Sequence, residues 1–171
     1  MLELVRKAKQ GDREAFAQLY ANISRKLYST AYYLLGRQED AEDLVMDTVI
    51  DAFRTINLLR DNSAFDSWIM KILVNKAKKK RGYYISEPVE LDERVISEST
   101  QNSDDKVVLW KAMQRLTEEE RNILILGIVN GYQSDEIAVI MHLNSNTVRS
   151  KRKRALEKIK KILEEGGYAY D

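Results

Sequence analysis

Several kinds of residue are scarce in this sequence, and each scarcity excludes a class of chemistry. Cysteine is absent, which excludes disulfides, thiol nucleophiles and zinc–thiolate sites. Histidine occurs once, at His142, and proline occurs once, at Pro88. No apolar run approaches the roughly 18 residues of a membrane span, and the first residues lack the apolar core of a signal peptide. We therefore expect a cytoplasmic protein without a membrane span.

The remaining composition favours helices over strands. Glycine occurs only seven times in 171 residues, while 44% of the residues are apolar and 32% are charged. A chain poor in glycine and proline and rich in leucine, alanine, lysine and glutamate disfavours a sandwich or a barrel. From Leu2 to Arg81 the apolar residues follow helical spacing, with breaks at residues 10–12, 34–40 and 60–65. We therefore predict an all-α protein with about four helices in its first half.

Charge divides the chain into two parts. The net charge is only +1, but residues 71–82 and 148–161 are basic, whereas residues 86–105 are acidic. Residues 82–105 also include the single proline and show no sustained period, which is typical of a linker. A capping box in "TEEE" (117–120) then predicts the start of a new helix. We predict two small helical domains joined by a flexible acidic linker, with the domains at residues 1–81 and 106–171.

Residues 132–159 show the pattern of a helix-turn-helix. The first helix has an apolar face, and Ala138 is small enough for a second helix to cross closely. The "HLN" segment predicts the turn, with Asn144 as the N-cap of a helix that begins at Ser145. His142 lies in this turn, and we expect its role to be structural. A short helix, a tight turn and a polar, basic second helix are typical of DNA-binding proteins.

The second helix separates an apolar stripe from a polar and basic arc. Val148, Ala155 and Ile159 share the stripe that must pack. The arc carries Asn146, Arg149, Ser150, Lys153 and Arg154. Such a surface suits the major groove of DNA, where arginine pairs with guanine at about 1–3 kcal/mol. We expect further phosphate contacts from Lys151, Lys158 and Lys160. The alternative is a solvated helix end that only complements the helix dipole.

Four aspartates recur every three or four residues in "EDAEDLVMDTVIDAF": Asp40, Asp43, Asp47 and Asp51. On a helix they form one stripe that faces outward, because the apolar residues of the segment, Phe53 included, form the buried side. A metal site needs ligands from several elements, and acid/base catalysis needs carboxylates in unequal environments. An exposed row meets neither requirement and suits docking against a basic helical partner. The alternative is a merely solvated face.

These phrases together resemble a known family. "GDREAFAQLY", "LLGRQEDAEDLVMDTVIDAFR" and "FDSWIMKILVNKAK" resemble successive parts of region 2 of the sigma-70 family. "LTEEERNILIL", "GYQSDEIAVIM" and "NTVRSKRKRALEKI" resemble its region 4. The order of the six phrases is that of an extracytoplasmic-function (ECF) sigma factor, the subunit that directs bacterial RNA polymerase to promoters.

The resemblance implies roles for particular residues. Region 2 binds the clamp helices of the largest polymerase subunit. By resemblance, the residues expected to make this contact are Asp40, Asp43, Leu44, Asp47 and Asp51. Region 2 also opens the minus-ten element. By resemblance, the residues expected to contact that element are the loop of Arg60, Asp61, Asn62, Ser63 and Ala64, and then Trp68, Asn75, Lys78 and Lys79. Region 4 binds the flap of the second-largest subunit and reads the minus-thirty-five element. By resemblance, the residues expected to contact that element are Asn146, Thr147, Arg149, Ser150, Lys153 and Arg154.

The minus-ten residues suit an opened strand. A small polar loop can take a flipped base, and aromatic and basic side chains can follow single-stranded DNA. The basic residues of the segment 76–81 are expected to hold phosphates. For Trp68 we favour a mainly core position beside Phe65. The resemblance also implies RNA polymerase core, promoter DNA and an anti-sigma factor as partners, with no catalysis, metal, cofactor or small-molecule substrate.

Two residues depart from the family pattern, and two other hypotheses remain. Arg152 stands where the family usually has an apolar residue, so either its side chain reaches the edge of the packed stripe or the helix is rotated. Asp47 replaces the commoner Glu or Gln. One alternative is a helix-turn-helix regulator that binds duplex DNA without polymerase, with residues 106–171 as its effector domain. The other is a phosphohydrolase that uses the aspartate row with Mg²⁺ or Mn²⁺.

Overall fold

A computed structural model describes residues 1–83 and 103–166, and within these ranges every regular element is helical. The chain divides into two units, one built mainly from the N-terminal half and the other mainly from the C-terminal half. The helices are α1 (Leu2–Lys9), α2 (Arg13–Leu35), α3 (Gln38–Thr55), α4 (Phe65–Tyr83), α5 (Ser103–Gln114), α6 (Glu118–Leu124), α7 (Ser134–Met141) and α8 (Ser145–Glu165). The all-α prediction is confirmed.

The predicted linker, residues 82–105, lies mostly outside the described residues. At its two ends α4 continues to Tyr83 and α5 begins at Ser103, so each helix extends a little into the predicted linker. None of the helices in the described part of the chain carries a stretch long and apolar enough to cross a lipid bilayer.

The first helices of the N-terminal unit begin and end at residues suited to those positions. The Asp12 side chain accepts a hydrogen bond of 3.0 Å from the Ala15 amide and so caps α2. Gly36 ends α2 with a φ of 76°, a left-handed conformation that glycine adopts without steric cost, and its N–H donates to the Tyr32 carbonyl at 2.7 Å. The predicted breaks at residues 10–12 and 34–40 are therefore confirmed.

The N-terminal unit is a helical bundle in which α2 packs against α1, α3 and α4. The long α2 contributes Leu19, Ile23 and Leu27 to the core, and α4 contributes Ile69 and Leu73. All five side chains are fully or almost fully buried. Truncation of such a residue to alanine typically costs about 2–5 kcal/mol, so this core fixes the positions of the surface helices.

The C-terminal unit joins α5 and α6 through a capping box. The Glu120 amide donates to the Thr117 hydroxyl at 3.3 Å, while the Glu120 carboxylate accepts from the Thr117 amide at 3.1 Å. The buried Arg121 guanidinium donates to the carbonyls of Met113 and Leu116, which lie at the end of α5 and just after it. The predicted capping box is confirmed, and α8 packs on both helices.

The helix-turn-helix forms where the sequence predicts it. His142 has a φ of 56° and the Leu143 amide donates to the Ala138 carbonyl at 2.9 Å, which is a Schellman ending for α7. Asn144 then caps α8 by accepting from the Asn146 amide at 2.8 Å. His142 thus has a structural role, because it turns the chain in a conformation that most residues avoid.

Candidate nucleic-acid and protein-binding surfaces

The acidic row on α3 is divided between two environments. Asp40 and Asp51 are half-buried, and their carboxylates pair with lysines of α4: Asp51 with Lys76 at 2.6 Å, and Asp40 with Lys80 at 3.0 Å. The Lys80 ammonium also lies 3.7 Å from a carboxylate oxygen of Asp43. The prediction that the whole row faces outward is therefore wrong for Asp40 and Asp51, which help to join α3 to α4.

Leu44 also differs from its predicted place in a binding surface, because its side chain is only 2% exposed. At about 100° per residue it lies only about 20° from Asp51 around the helix, on the packed side. A side chain without exposed area cannot contact a partner in this conformation, so Leu44 belongs to the core. In contrast, Asp43 is 78% exposed, and Asp47 is exposed and forms no ion pair with the described residues.

An apolar surface that the sequence analysis missed lies beside the exposed aspartates. Met46 is 63% exposed, Ile50 is 40% exposed and Phe53 is 39% exposed. Their spacing of three or four residues places them together on α3. Phe53 was predicted to be buried, but only part of its ring packs, edge-on against Phe16 at a centroid distance of 5.0 Å. The sequence signal for this surface was the width of the apolar side of α3, which is wider than the area that the neighbouring helices cover.

We call the combination of these residues the α3 docking surface: Asp43, Met46, Asp47, Ile50 and Phe53. A groove of about 530 Å³ between α2 and α3 adjoins it and shares Met46 as a lining residue. Tyr20 and Tyr28 of α2 and Val45 and Val49 of α3 also line this groove. The exposed side of α3 therefore offers apolar area next to the exposed carboxylates of Asp43 and Asp47. Among the described residues there is no cluster of three or more side chains suited to hold a metal ion.

The predicted minus-ten loop, residues 60–64, contains the short 3₁₀ turn Asn62–Ala64, and a second 3₁₀ turn, Ile56–Leu58, precedes it. The Asp61 carboxylate caps the turn Asn62–Ala64 by accepting from the Ser63 amide at 2.9 Å and from the Ser63 hydroxyl at 2.7 Å. Both bonds hold the pKa of Asp61 below its ordinary value, and the bond from the Ser63 hydroxyl has the larger effect. Asp61 thus shapes the loop, while Arg60 remains exposed.

The loop is also held by a residue that the sequence analysis did not select. Lys9, at the end of α1, donates from its ammonium to the Leu59 carbonyl at 2.7 Å and to the Asn62 Oδ1 atom at 3.1 Å. Asn62 and Ala64 are half-buried, whereas Ser63 is exposed. No local sequence signal announces the contact, because Lys9 and Asn62 are 53 residues apart.

One face of α4 carries the other predicted minus-ten residues. Asn75, Lys78 and Lys79 are exposed, and Trp68 is half-buried with its ring centroid 6.1 Å from that of Phe65. The partial exposure of Trp68 means that the favoured core position holds for only part of the ring. At about 100° per residue, Trp68, Asn75, Lys78 and Lys79 share one side of the helix.

The structure separates the lysines of α4 into two groups. Lys76 and Lys80, which were expected to hold phosphates, instead pair with the aspartates of α3. Lys71 is half-buried and lies on the same side as Trp68 and Asn75, three and four residues away, so it is an addition to the predicted set. The side chain of Arg81 lies outside the described residues.

The first turns of α8 present the predicted minus-thirty-five residues. Five of them are exposed and Thr147 is half-buried; the exposed residues are Asn146, Arg149, Ser150, Lys153 and Arg154. The Arg149 guanidinium donates to the Asn146 Oδ1 atom and to the Asp135 carboxylate, both at 3.0 Å. Asp135, on α7, also accepts from the Ser145 hydroxyl. Asp135 therefore orients the arginine from the first helix of the motif.

Two lysines of α8 have structural partners that the sequence analysis did not anticipate. Lys151 pairs with Glu119 at 2.8 Å, and Lys158 pairs with Glu120 at 2.6 Å, so both tie α8 to α6. The hydrogen bond from Lys158 is the largest cause that lowers the pKa of Glu120, and the Thr117 bonds act in the same direction. Lys151 and Lys158 thus have partners on α6, and the phosphate contacts expected from them stay a prediction.

Arg152 reaches the edge of the packed stripe, as one of the two sequence hypotheses expected. It is half-buried, and its guanidinium lies over Gly127, which belongs to the π-helical segment Ile125–Val129. A Cβ atom at residue 127 would lie 3.3 Å from the Arg152 Cζ atom. Glycine thus leaves room for an arginine in a position between the buried Val148 and Ala155.

A helix-turn-helix whose second helix presents polar and basic side chains is typical of DNA-binding proteins. Two family models match this chain: sigma-70 region 2 over residues 19–81, and sigma-70 region 4 over residues 106–159. The chain belongs to the sigma-70 family, and within it to the extracytoplasmic-function group. Because residues 19–81 match region 2, the alternative of a conventional regulator is wrong.

The chain is similar to several sigma factors over most of its length. It is 24% identical to the ECF RNA polymerase sigma factor SigW of Bacillus subtilis, over 93% of this chain and 94% of that protein. It is 27% identical to the ECF RNA polymerase sigma-E factor of Haemophilus influenzae, over 91% of each chain.

Two solved structures share the fold. CnrH in complex with the cytosolic domain of CnrY is similar with a TM-score of 0.76 at 21% identity, over 96% of this chain and 97% of that chain. The sigma factor RpoE in complex with the anti-sigma factor NepR from Bartonella quintana is similar with a TM-score of 0.74 at 24% identity, over 87% of this chain and 96% of that chain.

Proposed function

We propose that this chain binds RNA polymerase core and directs promoter-specific initiation of transcription by reading a minus-thirty-five and a minus-ten element. The observation that carries the proposal is the presence in one chain of both sigma-70 regions. The exposed residues of each region support the role that is proposed for it. The chain contributes recognition, and the polymerase contributes the chemistry, so no catalytic activity of its own is proposed.

Core binding is assigned to the α3 docking surface. Its apolar members supply area whose burial is favourable by about 25 cal/mol per Å². The exposed carboxylates of Asp43 and Asp47 supply orientation and a faster association with the basic clamp helices. Asp40 and Asp51 act indirectly, because their ion pairs with α4 hold the helix that presents this surface.

Opening of the minus-ten element is assigned to the loop 60–64 and to one face of α4. The loop offers small polar groups that suit the capture of a flipped base. The face of α4 that carries Trp68, Lys71, Asn75, Lys78 and Lys79 offers a partly exposed ring, an amide and ammonium groups along the proposed path of a single strand. The surfaces for the minus-ten and minus-thirty-five elements belong to one chain. Once one of them has bound DNA, the contact of the other is intramolecular and has a high effective concentration.

Reading of the minus-thirty-five element is assigned to the first turns of α8. Arg149 is the residue best suited to a guanine, since its guanidinium is exposed and already oriented by Asp135 and Asn146. Lys153 and Arg154 supply phosphate contacts, which make the affinity fall with salt. Residues 1–81 and 106–171 are proposed as the two functional domains.

The proposed partners are the clamp helices and the flap of RNA polymerase core, promoter DNA and an anti-sigma factor. The anti-sigma partner is supported by the RpoE structure, which contains the anti-sigma factor NepR. The proposed place of action is the cytoplasm, where polymerase and promoters meet.

Run-off transcription with bacterial core polymerase and a genomic promoter library tests the proposal. The chain should select a subset of promoters that core alone ignores. Arg149→Ala should weaken recognition of the upstream element by about tenfold and leave core binding intact. Asp43→Lys should do the reverse. If the chain added no promoter selectivity to core, the proposed function would be wrong.

A further inference from the structure

Lys9 joins two parts of the N-terminal unit that are distant in sequence. It is the last residue of α1, and the match to sigma-70 region 2 begins only at residue 19. Its half-buried ammonium nevertheless donates to the Leu59 carbonyl at 2.7 Å and to the Asn62 Oδ1 atom at 3.1 Å. The helix outside the family match thus holds the loop that is assigned to the minus-ten element.

The chemistry of this contact determines which way the Asn62 amide points. A lysine ammonium carries three donors and no acceptor, so only the Oδ1 atom of Asn62 can face it. The Nδ2 group must therefore point away from Lys9. Within the described residues it donates no hydrogen bond, and Asn62 is only half-buried. The loop consequently offers an amide donor rather than an amide acceptor to a ligand.

We propose that Lys9 is a positioning residue that sets the base preference of the minus-ten loop by fixing the orientation of the Asn62 amide. This inference rests on the proposed function of the loop. A fixed donor favours a flipped base that presents a carbonyl oxygen, as thymine, guanine and cytosine do. Adenine has no carbonyl oxygen, and although its ring nitrogens can accept from the amide, the bidentate pair of asparagine with adenine also needs the Oδ1 atom, which Lys9 occupies. Without Lys9 the amide can rotate and accept from adenine.

Lys9→Met tests the inference, because methionine keeps an unbranched stem and a similar helix propensity but removes the donor. The full chain is bound to core polymerase and titrated with fluorescent single-stranded minus-ten oligonucleotides that carry each of the four bases at each position. At the position where the unmodified chain disfavours adenine, Lys9→Met should reduce that discrimination by about three- to tenfold, the effect of one hydrogen bond. Lys9→Arg should retain most of it.

Two controls separate this role from a general loss of structure. Lys7→Met makes the same change two residues earlier, at an exposed lysine of the same helix, and should change nothing. Asn62→Ala by itself should lower the discrimination against adenine. Adding Lys9→Met to Asn62→Ala should lower that discrimination no further. An equal loss of affinity for all four bases, or unchanged discrimination in Lys9→Met, would overturn the inference. No base preference in the unmodified chain at any position would instead overturn the proposed function of the loop.

Discussion

Asp47 and Asp51 lie one turn apart on α3 and differ in one respect that can be measured. Asp51 is paired with Lys76 at 2.6 Å, with side chains that are 45% and 28% exposed, whereas Asp47 is exposed and forms no ion pair with the described residues. Conversion of either aspartate to asparagine removes one negative charge with little change in volume. The two variants therefore form a matched pair that separates binding from stability.

The expected magnitudes follow from these environments. An ion pair near the surface is worth about 0.2–1 kcal/mol, so Asp51→Asn should lower the melting temperature of the N-terminal unit by up to about 8 °C. Asp47→Asn has no such pair to lose and should leave that temperature almost unchanged. If Asp47 faces basic clamp helices, its loss should weaken core binding by about three- to tenfold at low salt, and Asp51→Asn should change the affinity by less than about twofold.

Fluorescence anisotropy of the labelled chain against core polymerase, at about 0.05 M and about 0.5 M salt, measures this difference. The effect of Asp47→Asn should shrink at the higher salt concentration, because the screening length falls to a few ångströms. Thermal melting of the free variants supplies the stability comparison. Equal loss of core affinity in both variants, or none in Asp47→Asn, would refute the division of the acidic row.

Two further predictions concern residues of the C-terminal half of the chain, Glu120 and His142. The pKa of Glu120 is lowered, so its bonds contribute stability that is present above pH about 4.5 and is lost as the pH falls through the folded-state value. Glu120→Gln should therefore cost about 1–2 kcal/mol at neutral pH and flatten the acid dependence of unfolding; an unchanged acid profile would contradict this. His142→Gly should unfold at the same or a slightly higher temperature, because glycine relieves the left-handed φ of 56°, whereas His142→Val should lose about 1–2 kcal/mol. Equal stability of the glycine and valine variants would show that the turn is unstrained.

The features that the sequence predicted well depend on neighbouring residues. The capping box of Thr117 and Glu120, the turn at His142 and the cap at Asn144 each depend on bonds that span five residues or fewer. Side-chain chemistry and backbone conformation at these positions suffice to determine such bonds. The residues that pack along α8 were predictable for the same reason, since helical period alone separates Val148 from the exposed Arg149.

The features that the sequence could not predict are contacts between distant elements. Asp40 and Lys80 are 40 residues apart, and helical period alone does not say which neighbour α3 will meet or how far its buried arc extends. The buried side of α3 includes Leu44 and part of Asp51 but does not include Met46. The same limit hid the contact of Lys9 with Asn62, because an exposed-looking lysine carries no local signal of its partner.

The central claim is that this chain recognises promoters only as part of RNA polymerase. Size-exclusion chromatography of the purified chain with bacterial core polymerase, followed by duplex promoter binding with and without core, tests that claim most directly. We expect stoichiometric co-elution with core and selective duplex binding by the complex but not by the chain alone. Failure to bind core, together with tight and selective duplex binding by the chain alone, would contradict it.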